Sequence, residues 1–541
     1  MKRILILGNC PLPDENTKSR PAAGLRTYQF LKPLLGSGAT GNAFSGMRRE
    51  KFKVFLVTIA MPECYENEPG KKEIRYSDDF SQLQISKDDP NLFEEIQKIH
   101  DEFHPDAIVG VNTFPAYVAA GIKSAAPMWA DLNGWAMAEA QAEAFKKDSN
   151  NYLNHYFQME KMILDRADKF SAVSKPQQYA LTGELATLGR LNKETFNHKF
   201  VHHVPNGTEI FPNEEISIED AKKKSVEIFQ NVPADAFVAL WVGGYNTWVD
   251  EITLFKGLER AMEHAKNLYF VSTGGSIAGL DKGTFGHFKK MIDDSKFKKR
   301  FVFLGWVATS DIPYIYARAN VGLNVDRKCV ETMTGARNRI NEMMKFGVPV
   351  LTTLGSEISE EVERVSAGLA VESGKYEMLG DALIAMYRDV TDRHGYKLKE
   401  FGERGKTFIR EECSYEKTLR PLLNWLENPR PAPDRSVNIN LNKSHFWRSS
   451  WMYLKDHGFK KAWLKLRQKV KKIFSRKGSP IKIMIDKGLA LIVERANFDQ
   501  RSERGDGVRG REELDNGDRD FVTWQSVRYD ELLSPVFGNV I

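Results

Sequence analysis

The chain predicts two open α/β domains in tandem, each a doubly wound parallel sheet, facing one another across a cleft. Three observations predict this. Short apolar runs alternate with helical stretches from residue 4 to residue 205. The alternation restarts beyond Asn206-Gly207-Thr208 and continues to residue 353. At 541 residues the chain is also too long for one hydrophobic core. Strand–helix alternation marks a parallel sheet covered on both faces, and ligands of such sheets sit at the carboxyl ends of the strands.

Residues 1–208 are assigned to the first, acceptor-side domain. Its expected strands are ILIL (4–7), KVFLVTIA (53–60), AIVGV (107–111), APMWADL (126–132), KFSAVS (169–174) and FVHHVP (200–205). Helical patterns over Leu25–Leu35 and Leu92–Phe103 separate some of them. Residues 209–428 form the second domain, with strands FVALWVG (237–243), LYFVST (268–273), RFVFLGW (300–306), VGLNV (321–325) and VPVLTT (348–353). A helix over SYEKTLRPLLNWL (414–426) closes it, and ENPRPAPDRS (427–436) is a Pro-rich linker. Residues 429–478 comprise linker and a basic amphipathic helix, and 479–541 a charged tail, disordered over 499–520 where large aliphatics are scarce.

Charge is local. Residues 442–477 hold twelve Lys and Arg against the single acid Asp456, whereas the whole chain is only +6. The body is therefore slightly acidic, and a nucleic-acid-binding body is excluded. Within the basic segment Trp447, Trp451, Trp463, Leu466 and Val470 recur at helical spacing among lysines. That pattern favours a helix lying through 446–474 on an anionic membrane surface, over a solvated helix or a groove on a partner protein. No run of 18 uncharged apolar residues occurs, and KRILILGNC at the start is too short for a signal sequence. Cys10, Cys64, Cys329 and Cys413 lie far apart without metal-ligand spacing, as expected of reduced thiols in the cytoplasm. The GSGATG run at 36–41 follows a helix instead of a strand, the wrong context for a dinucleotide fingerprint.

The densest chemistry lies in GARNRINEMMKFGVPVLTT (335–352). Met343, Met344 and Phe346 give a helix its apolar face, Gly347 ends it, and VPVLTT follows as a strand. Arg337, Asn338 and Arg339 near the helix N-terminus would bind phosphate, and Glu342 would accept hydrogen bonds from sugar hydroxyls. Gly243-Gly244 and Gly274-Gly275 end two strands where backbone must turn tightly or approach a ligand. Asp131 ends a strand in WADLNGW and serves either as a cleft carboxylate or as a turn or capping residue.

The motifs VPNGT, WVGG, FLGW with the following Asp311, and Glu342-Met-Met-Lys-Phe-Gly-Val-Pro-Val together resemble the GT-B glycosyltransferases of family 4, glycosyl transferases group 1. The likeness covers residues 1–428 and is closest to the members that build bacterial surface polysaccharides. It implies a nucleotide-sugar donor as co-substrate, no metal cofactor, and sugar transfer with retention to a glycan or lipid-linked acceptor. The enzyme would work at the cytoplasmic face of the membrane. By the resemblance Glu342 binds the donor ribose, its helix holds the diphosphate with Arg337 and Arg339, and Gly24 and Arg26 face the phosphate from the first domain. The family's second glutamate is replaced by Thr334, and Glu331 would fill its catalytic role through a loop three residues longer, with Asp131 as the acceptor-side carboxylate. Arg337 and Arg339 would replace the Arg and Lys that the family carries after the Gly-Gly turn, where Tyr245–Trp248 stand. Two other readings remain open: a sugar-nucleotide epimerase on the same fold, and a non-catalytic scaffold.

Overall fold

The structure is a computed structural model. It describes residues 1–13, 15, 17, 22–35, 52–209, 223–224, 226–277, 281, 283–437, 455, 461, 464, 481–485 and 491–495. The chain divides into two compact units, Met1–Asn438 and Ile439–Ile541.

Within the first unit, two sheets form where the apolar runs predict them. The first has the order β3-β4-β2-β1-β5-β6-β7-β8. Its strands are β1 (Lys2–Cys10), β2 (Phe52–Ala60), β3 (Lys72–Arg75), β4 (Phe80–Ser86), β5 (Ala107–Val111), β6 (Met128–Leu132), β7 (Lys169–Ala172) and β8 (Val201–His203). All neighbours pair in parallel except β3 with β4. The second sheet is parallel throughout, ordered β11-β10-β9-β12-β13-β14. It comprises β9 (Phe237–Trp241), β10 (Leu268–Thr273), β11 (Phe301–Gly305), β12 (Val321–Asn324), β13 (Val350–Thr353) and β14 (Gly368–Val371). In both sheets the central strands are buried on both faces, which is why they read as continuous apolar runs. The strands β3, β4 and β14 escape the sequence reading: KEIR is exposed, FSQLQIS carries polar residues, and GLAV is only four residues long.

The helices of the first domain include α1 (Ala22–Leu35), α2 (Leu92–Phe103), α3 (Thr113–Gly121), α4 (Ala136–Lys147), α5 (Leu153–Arg166) and α6 (Lys175–Thr187), of which α1, α4 and α6 matter here. On the second, the short helix Val330–Thr334 packs against α4 and α6.

Two expectations about the end of this unit change. The helical stretch 414–426 forms as Tyr415–Thr418 and Arg420–Glu427, and it packs on the first domain, not the second. Tyr415, Leu419, Leu422 and Leu426 join Ile4, Ile6 and Trp129 in one core. The Pro-rich stretch is likewise docked. Arg190 forks onto Asp434 at 2.9 and 3.0 Å, and the Ala432 amide donates to Asp168 at 2.7 Å. In the second unit an antiparallel hairpin pairs Ile481–Ile485 with Leu491–Arg495, a feature the sequence reading left inside the tail. The residues expected to form a loop at 36–41, a disordered stretch at 499–520 and a basic helix at 446–474 lie outside the described residues, apart from Lys455, Lys461 and Leu464.

Candidate active site

The carboxyl ends of β9, β10 and β11 meet in three glycines with left-handed backbone: Gly243 (φ 95°), Gly274 (φ 77°) and Gly305 (φ 71°). A side chain on Gly274 would strike the Gly243 carbonyl, so the two turns touch backbone to backbone. The Gly274 amide donates to Gly305 O at 2.6 Å, and the Tyr245 amide to Gly275 O at 3.1 Å. Gly244 follows directly, its carbonyl turned toward Arg339. Gly243 and Gly244 are half-buried here, whereas Gly274 and Gly275 are buried, with Ile277 packed against Gly244 and Phe285 against Gly275.

Beside them lies the helix Asn338–Lys345, formed by residues that bury Ile340, Met343 and Met344 in the core behind it. Arg337 is its N-cap and makes no side-chain cap, so the first turn keeps its unpaired N–H groups, with Asn338 half-buried at its start. The two arginines here have different fates. Arg337 is buried and saturated: its guanidinium forks onto Glu331 at 3.1 and 2.7 Å and donates to Asp326 at 2.6 Å. Burial would lower its pKa, but Asp326 and Glu331 overcome that and raise it. Glu331 for its part is raised by burial, with Arg337 pulling the other way. Neither residue therefore meets the sequence expectation. Arg337 is not free for phosphate, and Glu331 holds an arginine in place of a free catalytic carboxyl.

Arg339 is the open one. Its Nη2 donates to the Gly244 carbonyl at 2.9 Å, its guanidinium sits 4.0 Å from the Trp241 ring centre, and its buried Nη1 has no hydrogen-bond partner. Burial lowers its pKa. One turn further, the half-buried Glu342 accepts from Thr208 Oγ1 at 3.3 Å, and Asn341 donates to Asn206 O at 2.9 Å. The NGT turn between the domains is thereby fixed on this helix.

The first-domain candidates do not present themselves to the cleft. Asp131, at the end of β6, is fully buried, and its two oxygens are held by Arg26 at 2.7 and 2.9 Å and by Ser171 Oγ at 2.6 Å. Arg26 spends its remaining donors on Gln29, Asn206 Oδ1 and the Val204 and Pro205 carbonyls. This buried pair is a rivet joining α1 to the interdomain segment. The expectation of an acceptor-side carboxylate at Asp131 and a phosphate ligand at Arg26 fails because each satisfies the other. Gly24 is required for packing: a side chain there would overlap the Pro11 carbonyl.

Sequence reading missed two residues. Asp326 follows the end of β12, the strand-end position that drew attention to the glycines, and could have been found by the same rule. Glu139 lies one turn into α4 with no motif around it, and only the fold brings it to the cleft. Among the described residues no group of three His, Cys, Asp or Glu side chains is placed to hold a metal, and no helix is long and apolar enough to cross a membrane.

With this geometry in hand, the comparisons are specific. Residues 236–389 match the family model described as glycosyl transferases group 1. No curated protein is similar in sequence to the chain. Among solved structures, sucrose-phosphate synthase from Thermosynechococcus elongatus superposes with a TM-score of 0.56 at 16% identity, over 78% of this chain and 98% of that one. HepE from Anabaena in complex with UDP-glucose gives 0.54 at 13%, over 79% and 99%. The α,α-trehalose-phosphate synthase (UDP-forming) from Burkholderia xenovorans gives 0.55 at 11%, over 79% and 100%. The first unit thus has the two-domain GT-B fold, and its second sheet, with the glycine turns, lies within the 236–389 stretch that matches glycosyl transferases group 1.

Proposed function

We propose that this chain transfers a sugar from a nucleotide-sugar donor to an acceptor hydroxyl, with the donor diphosphate lodged beside the Gly243-Gly244 turn, Arg339 and the start of the helix Asn338–Lys345. The observation that carries this reading is the unpartnered Nη1 of Arg339. A buried donor without an acceptor costs about 1–3 kcal/mol, more if charged, unless a ligand satisfies it. A diphosphate is the ligand whose geometry and charge suit a guanidinium beside an uncapped helix start. That one structure of like fold holds UDP-glucose, and another UDP and glucose, supports a nucleoside diphosphate sugar.

In this reading Glu342 takes the ribose hydroxyls, and the bond between the sugar and the diphosphate breaks as negative charge gathers on the phosphate. Arg339 and the N–H groups of Asn338 and its neighbours stabilise that charge, which leaves no step for a metal. Retention at the sugar carbon, a glycan or lipid-linked acceptor and a place in surface polysaccharide assembly belong to the same proposal. So does attachment of 446–474 to the anionic cytoplasmic face of a membrane, which flotation with liposomes tests on chains with and without Ile439–Ile541. Equal flotation would remove it. The catalytic reading is tested by Glu342→Ala: transfer is lost while the melting temperature holds, and wild-type transfer in that variant refutes the assignment.

A further inference from the structure

We propose that Glu139 is the acceptor-side carboxylate, binding the incoming hydroxyl across the cleft from the Glu331–Arg337 pair and taking its proton as the glycosidic bond forms. This rests on the glycosyltransferase reading and adds the group that reading lacks.

Glu139 stands in the first turn of α4, and its carboxylate lies over Gly134 in the loop that leaves β6. Acceptor-side chemistry on a parallel sheet belongs at such a strand end. The facing wall is the helix Val330–Thr334, which packs against α4 and brings Glu331, with Arg337 bound to it, toward the carboxylate. Three nearby carboxylates are already neutralised: Asp131 by Arg26, and Asp326 and Glu331 by Arg337. Glu139 is half-buried, and its carboxylate takes part in none of the side-chain hydrogen bonds or ion pairs seen among the described residues. A half-buried carboxyl at a strand end with no protein partner is placed for a ligand's hydroxyl.

The atoms balance. The acceptor oxygen forms its bond to the sugar carbon while the bond from that carbon to the diphosphate breaks, its electron pair leaving with the phosphate oxygen. The hydroxyl proton passes to Glu139. The groups facing Glu139 are Glu331 and Arg337 from the second domain, Glu143 on its own helix, and Glu160 and Tyr156 on α5. Burial first, then Glu331 and Glu143, push its pKa up to about 8 against the pull of Arg337. About a tenth of such a group is ionised at pH 7, and its basicity suits proton transfer near neutrality.

The test uses the full chain and the most active member of a panel of UDP-, GDP- and dTDP-sugars, with glucose or water as acceptor. Wild-type kcat is expected to rise with pH and level off above about 8. Glu139→Gln should lower kcat by at least about 100-fold, abolish that rise and leave nucleoside diphosphate binding unchanged. Glu139→Asp, which keeps a carboxylate, should retain the rise at reduced kcat. A Gln variant with wild-type kcat and pH profile overturns the inference alone, as does loss of binding in both variants, which would make the role structural. Wild-type protein that binds and turns over no nucleotide sugar overturns the underlying reading and this inference with it.

Discussion

The two walls of the cleft are built alike and teach the same lesson about charged residues. Each carries one arginine locked by buried partners and one titratable group left open. On the first domain Arg26 is consumed by Asp131 and the chain around Asn206, while Glu139 is unbonded. On the second, Arg337 is consumed by Asp326 and Glu331, while Arg339 keeps a free N–H beside the glycine turns. The locked pairs fix the shape of the walls, and the open groups face the space between. The walls are held together at several points, among them Ser174 Oγ on the Thr334 carbonyl at 2.6 Å and Lys146 Nζ on Thr284 at 2.8 Å.

If locked and open groups differ in this way, substitutions should divide cleanly. The largest effect is expected at Arg337. Arg337→Ala strands two buried acids and should lower stability by about 3–5 kcal/mol, read by urea unfolding. A loss below about 1 kcal/mol would mean that Arg337 is not locked. Arg26→Ala should cost a similar amount on the first wall. Gly24→Ala comes next. Its methyl group must displace the Pro11 carbonyl, so about 1–3 kcal/mol of stability should be lost, with donor affinity unchanged in a calorimetric titration.

The smallest effect is a pH slope. The Glu139 carboxyl is pushed up to about 8 in the folded chain from an ordinary 4.5, so between those values the folded state binds more protons than the unfolded. Its stabilising contribution is whole below about 4.5 and is lost as pH rises through about 8. The melting temperature should therefore fall over that window, and Glu139→Gln should flatten the slope. An unchanged slope would show that the carboxyl titrates normally.

The contrast also explains what was legible in the sequence. Both sheets could be read because their central strands are buried on two faces and leave unbroken runs such as ILIL and FVALW. The edge strand KEIR left no such run because water covers it. The donor wall was legible as a set, since Gly243, Gly274, Arg339 and Glu342 stand at strand ends or a helix start. What could not be read was which arginine is free. Arg337 and Arg339 are two residues apart in similar company, and only the arrival of Asp326 and Glu331 at Arg337 separates them. Asp131 misled for the same reason: its partner Arg26 is 105 residues away. Glu139 left no signal because its place depends on a helix of the other domain.

The central claim is that Arg339, not Arg337, receives the donor phosphate. Calorimetric titration of UDP and UDP-glucose into wild-type protein and Arg339→Ala tests it most directly. The account predicts binding to the wild type and a loss of about 2–3 kcal/mol, roughly 30- to 150-fold in Kd, in a variant that melts like the wild type. Equal affinity in the two proteins would contradict it.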